Sequence, residues 1–168
     1  FTEKGWGRLS VARFPQLATC FDDLVRGIGA LVRDPRGHET FFLDTADWAE
    51  QFIWAEVCAR NGRPSIESFD FGKGYVLADE VWAELLSGLD ALRERGVMTV
   101  LLAHAEVTRY TDPNSDPYDR FDLKLHKRAR AKLREWADVV GFCYEKTFVK
   151  TLESGTGKNK KVDRKSVV

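Results

Sequence analysis

Asp44 closes the apolar run Phe41-Phe42-Leu43, and His104 closes the longer run Val97-Met98-Thr99-Val100-Leu101-Leu102-Ala103. Bulky apolar residues ending in a polar one describe a buried parallel strand, and the carboxyl ends of such strands border the crevice where open α/β sheets bind ligands. A carboxylate at that edge can hold the Mg²⁺ of a bound nucleotide through a coordinated water, with the adjoining Thr45 beside it. An imidazole at the second edge can sense a terminal phosphate or orient an attacking water. Asp44 and His104 are therefore the candidate catalytic pair, Asp44 and Thr45 the candidate nucleotide contacts, and Asp44 the candidate Mg²⁺ residue. Plainer roles compete: Asp44-Thr45-Ala46-Asp47 is also good helix N-cap chemistry, and a histidine can cap the loop that follows it.

The phosphate-cradling loop Gly-x-x-x-x-Gly-Lys-Ser/Thr does not precede this strand. Glu153-Ser154-Gly155-Thr156-Gly157-Lys158 imitates it superficially. It fails on mechanism, because Leu152 replaces the first Gly, Asn159 replaces the hydroxyl ligand, and no helix follows to aim its N-terminus at a phosphate. A hairpin turn or tail is the reading there. A second stretch interleaves aromatics with cations: Arg109 and Tyr110, then Tyr118, Arg120, Phe121, Lys124, Lys127 and Arg128. Single-stranded nucleic acid suits such a mixture, bases stacking on rings while Lys and Arg neutralise phosphates. An exposed amphipathic helix behind a packed loop accounts for the same residues without a ligand.

These residues need a fold to place them, and the composition allows one. The chain has 168 residues, 43% hydrophobic and 31% charged, enough for one domain with a sizeable core and inconsistent with wholesale disorder. With 26 basic and 26 acidic residues the net charge is zero, which removes any global electrostatic case for nucleic acid or membrane. Cys20, Cys58 and Cys143 are odd in number and lack zinc spacing, as expected of thiols in a reducing compartment. No apolar run nears the roughly 18 residues of a membrane span, so a cytoplasmic protein without a membrane partner is expected. The chain opens on Phe1 rather than Met, the expectation being a fragment or a processed chain.

Periodicity predicts an edge strand at 9–14, a helix from an N-cap at Thr19 through Val32, and a strand at 40–44. A helix over 46–60 follows, its Trp48, Phe52, Ile53 and Val57 inward and its Glu50, Gln51, Glu56 and Arg60 outward. A loop at 61–75 leads to a helix at 76–95 ended by Gly96 as a glycine C-cap. After the strand at 97–104 come a long excursion at 105–123, a basic helix at 125–137, a third apolar strand at 139–144 and a hairpin from Phe148-Val149. Strands alternating with helices of about 15 residues argue for βαβ units and a mainly parallel α/β sheet flanked by helices. Residues 1–150 form the expected domain and 151–168 a hairpin or basic tail.

The blocks Phe41–Trp48, Ser65–Tyr75, Leu101–Val107 and Asp116–Lys127, with Leu133–Asp138 behind them, resemble phage-type nucleotide-binding proteins of the RecA/AAA-like P-loop class, including phage single-strand annealing ATPases. The resemblance spans about Val11 to Lys150. It implies a RecA-like core with ATP and Mg²⁺ as cofactors, Asp44 as the Walker B Asp and His104 as the polar residue ending the next core strand. It also implies that 61–75 and 105–127 take the places of two DNA-facing loops, with Lys124 and Lys127 contacting DNA or a neighbouring subunit's nucleotide. Members of that class begin with a strand, a Walker A loop and its helix. The expectation is that this chain begins after them.

The leading reading is thus an ATP-binding recombination or annealing protein of a phage or prophage, binding single-stranded DNA as a homo-oligomer. A degenerate interaction module that kept the sheet and lost nucleotide chemistry is the alternative. A metal-dependent hydrolase or nuclease built on Asp44, Asp47 and His104 is a third, with a thin acidic cluster and no third ligand placed by sequence.

Overall fold

A computed structural model describes residues 10–114 and 116–144, and the backbone of 148–154 and 161–167. Contacts divide the chain into two compact units, Phe1–Trp136 and Ala137–Val168. In the first, α1 (Phe21–Arg33), α2 (Ala46–Arg60) and α3 (Lys73–Glu94) pack around one core beside the parallel pair β1 (Thr40–Asp44) and β2 (Met98–Leu102). The hairpin β3 (Ala105–Tyr110) and β4 (Tyr118–Leu123) and then α4 (Lys127–Trp136) complete it.

The helices form where apolar residues recur at three- and four-residue spacing. In α3, Ala78, Val81, Trp82, Leu85, Leu89 and Leu92 make a continuous buried stripe. Burying a leucine-sized side chain contributes roughly 1.5–3 kcal/mol, so this stripe is the main source of cohesion among α1, α2 and β2. In α2 the matching stripe is Ala46, Ala49, Ile53 and Val57. Both helices stop by the same device. Gly62 and Gly96 sit at φ 60° and 79°, where a side chain would be strained. The N–H groups of Gly62 and Arg63 then reach back to Ala59 and Cys58, and those of Gly96 and Val97 to Arg93 and Leu92. The stop expected at Gly96 is the one observed.

The start of α3 is fixed by contact. A Cβ on Gly74 would lie 2.7 Å from the Ile66 carbonyl oxygen and 2.8 Å from the Phe69 ring. Alanine gains about 1 kcal/mol of helix propensity over glycine, but the backbone oxygen can yield only by displacing the 3-10 turn Ile66–Ser68. Gly74→Ala is expected to destabilise the protein by about 1–2 kcal/mol net, read as a lowered midpoint in thermal or urea unfolding.

Several expectations are corrected. Residues 10–14 form no strand, and α1 is capped from Cys20, because Thr19 instead gives its N–H and hydroxyl to Asp23 at 3.0 and 2.8 Å. The 61–75 segment contains two 3-10 turns, Ile66–Ser68 and Asp70–Gly72, and α3 starts three residues earlier than periodicity suggested. The 105–123 excursion is an antiparallel hairpin in register from Ala105↔Leu123 to Tyr110↔Tyr118. Residues 139–144 are not a strand. Among the described residues there are three two-stranded sheets, of which only β1–β2 is parallel, so the fold is α/β without a mainly parallel sheet.

The unit Ala137–Val168 holds the antiparallel pair β5 (Phe148–Ser154) and β6 (Lys161–Val167), the hairpin expected from Phe148-Val149. Lys158 lies outside the described residues. Among the described residues no helix is long and apolar enough to cross a membrane.

Candidate nucleotide edge and hairpin

Parallel pairing sets the carboxyl ends of β1 and β2 side by side, Asp44 opposite Leu102. The chain leaves β1 through Thr45, which is buried and begins α2, while it leaves β2 through Ala103 and His104 into the hairpin. The two exits are tied together by Asp47 in the first turn of α2. Its Oδ1 accepts the His104 backbone N–H at 3.1 Å, and its Oδ2 lies 2.9 Å from His104 Nδ1. Burial pushes the Asp47 carboxyl up, but the hydrogen bonds from the His104 ring and backbone outweigh it and hold the group below its ordinary value. A carboxylate on Nδ1 fixes the tautomer with Nδ1–H donating and directs Nε2 away from Asp47. Asp47 is thus the residue that positions His104, a role that spacing alone did not reveal because the partners stand 57 residues apart.

Three residues further along α2, Glu50 is only 3% exposed, which corrects its placement on the outer face. The signal was present in the sequence: Ala46, Glu50, Ile53 and Val57 recur at four-three-four spacing, the same face as the core. Trp48, expected inside, is exposed. Both Glu50 oxygens accept the His126 backbone N–H, at 3.2 and 3.0 Å. Burial raises the Glu50 carboxyl to about 7, against the pull of the His126 N–H and Arg130 and with the push of Asp47 and Glu106. The His126 ring stacks on Tyr75, centroids 4.1 Å apart.

The hairpin, the turn after it and the start of α4 carry the aromatic and cationic residues of the 109–128 stretch, and most of the cations are engaged. Arg109 pairs with Asp119 at 3.3 Å, and Arg120 lies 3.9 Å over the Tyr110 ring while reaching Asp122 at 3.3 Å. Arg128 donates to Asp79 of α3 at 2.8 Å. Tyr118 meets Tyr110 edge to face. Lys124 and Lys127 are exposed at the hairpin's exit. Val107 and Phe121, cross-strand partners, stand 62% and 59% exposed on the outer face.

Beneath the hairpin lies a carboxylate that sequence reading missed. Asp122, 6% exposed, meets Arg130 at 3.2 Å and Arg134 at 2.7 Å besides Arg120, and accepts the Leu123 N–H at 2.9 Å. Arg130 also pairs with Glu106 and donates to the Leu125 carbonyl at 2.9 Å.

A family model described as an AAA domain matches residues 1–167. The chain belongs to the AAA domain family. No curated protein and no solved structure matches it. Membership makes this a nucleotide-binding type of domain, and AAA domains generally bind ATP with Mg²⁺. The donor set suits that cofactor. Among the described residues no three or more His, Cys, Asp or Glu side chains converge into a protein-only metal cage. Mg²⁺ in nucleotide sites needs none, since it keeps several waters and takes one or two carboxylates plus the phosphates. Asp44 at the carboxyl end of β1 is the residue that would hold it in that manner.

Proposed function

We propose that this AAA domain is the magnesium side of an ATP site in a phage-type protein of DNA recombination or single-strand annealing. In this reading it works as a homo-oligomer with nucleotide between subunits. Bound Mg²⁺ would neutralise phosphate charge as it develops. Asp44 would hold that ion, Thr45 would contribute to the nucleotide contacts, and Asp47, through its bond to Nδ1, would orient His104 for the terminal phosphate or its attacking water. The observation that carries this reading is the pair of bonds from Asp47 to His104, because it joins the edge bearing Asp44 directly to the root of the hairpin. A change at the phosphate edge thereby reaches Ala105 within one residue. The exposed cross-strand pair Val107 and Phe121 on one face of the hairpin, the exposed Tyr118 on the other, and the exposed Lys124 and Lys127 that follow β4 offer stacking surfaces and cations to a single strand.

One observation favours the degenerate interaction module instead. Arg109, Arg120 and Arg128 are matched by Asp119, Asp122 and Asp79, so their charge serves packing as much as any phosphate. Fluorescence anisotropy of a labelled single strand, with the protein as encoded by its gene, separates the two. Strand binding that rises with Mg-ATP and falls steeply with salt is expected, and Lys124→Ala with Lys127→Ala should reduce the salt slope by about two. Absence of strand binding in either nucleotide state would decide for the module.

A further inference from the structure

The two carboxylates of the first turns of α2 hold opposite ends of one hairpin. Asp47 takes the backbone N–H of His104, the residue before β3, and Glu50 takes that of His126, three residues after β4. The ends are also closed on each other, Lys124 donating its N–H to the His104 carbonyl at 2.8 Å. Asp47 and Glu50 are one turn apart on a helix whose other residues on that face, Ala46, Ala49 and Ile53, are locked in the core. The helix itself is separated from Asp44 by its N-cap Thr45 alone.

We propose that Glu50 is a positioning residue that fixes the exit of the β3–β4 hairpin, so that α2 grips the hairpin at both roots and its seating responds to the protonation of Glu50. The groups facing Glu50 are Asp47 on its own helix, Glu106 on β3, Arg130 on α4, Tyr75 on α3 and the His126 backbone. Two neighbouring carboxylates and burial oppose its charge; one guanidinium and the N–H favour it. With the carboxyl raised to about 7 in the seated hairpin and at its ordinary 4.5 when released, the protonated form favours seating. That support is full below pH 4.5 and is lost as pH climbs through about 7. His126 acts in the opposite sense: burial, then Lys127 and Arg128, lower its imidazole from 6.5, so its support is present above that pH and fades below it.

Amide hydrogen exchange at 105–110 and 118–126 in the full chain, corrected for the intrinsic rate, tests the proposal. His126→Phe keeps the backbone N–H and an aromatic ring against Tyr75 while removing the opposing imidazole. In that variant, hairpin opening should rise about tenfold between about pH 6 and pH 8. Wild type should show a smaller rise. Glu50→Gln, which keeps the shape and an acceptor oxygen, should show none, with α3 exchange unchanged. A rise in Glu50→Gln equal to that of wild type would overturn the proposal. Should Glu50→Gln fail to fold, His126→Phe still decides, because a flat profile there assigns no proton to Glu50 and also overturns it.

Discussion

Asp122→Ala is expected to lower the unfolding free energy by about 3 kcal/mol, the low end of the cost of breaking a buried ion pair. The carboxylate is almost fully enclosed, whereas Arg120, Arg130 and Arg134 are 35, 18 and 39% exposed. Water can therefore partly rehydrate the abandoned guanidiniums, which keeps the loss below that of a fully interior triad. Asp122→Asn should cost less, since it retains an acceptor for Leu123 N–H. Burial pushes the Asp122 carboxyl up, but the Leu123 N–H and the nearby Arg130 and Arg134 outweigh it and hold the group below its ordinary 3.8. A depressed carboxyl stabilises above its unfolded value and loses that contribution as pH falls through the folded one. Wild type should accordingly lose stability on acidification below about pH 4, and Asp122→Ala should lose less of it over that range. Urea titrations at neutral and acid pH read both effects.

What the residues disclosed and what they hid divides along sequence distance. The α2 and α3 helices, the glycine stop at Gly96 and the pairing of parallel strands were legible because hydrophobic period and turn chemistry are local. The apolar run at 139–144 misled, because a short apolar run is not diagnostic of a strand. The hairpin at 105–123 hid behind charged residues at Glu106, Arg109, Asp119 and Asp122, whose alternation reads as polar loop until Asp122 is seen to be buried among arginines from α4. Asp44 was legible as a strand terminator, whereas the strand expected at 97–104 ends at Leu102 and leaves His104 two residues beyond it. The link between the two was not legible, because Asp47, Glu50, His104 and His126 are brought together only by the docking of α2 against the hairpin roots.

Asp44→Asn should weaken Mg-dependent nucleotide binding by about 10–100-fold, the loss typical of a residue that acts on a metal through an intervening group, while leaving the fold intact. The amide keeps the shape at the end of β1 but supplies no negative charge for the ion. His104→Ala should instead leave affinity nearly unchanged and remove the effect of nucleotide on the hairpin. Calorimetric titration of ATP into the protein as encoded by its gene, with Mg²⁺ and with a chelator, is the direct measurement of the Asp44 edge as the magnesium side of the site. Binding that needs Mg²⁺ and is weakened by Asp44→Asn is the result predicted; ATP binding equal with and without Mg²⁺, and unaltered in Asp44→Asn, would contradict it.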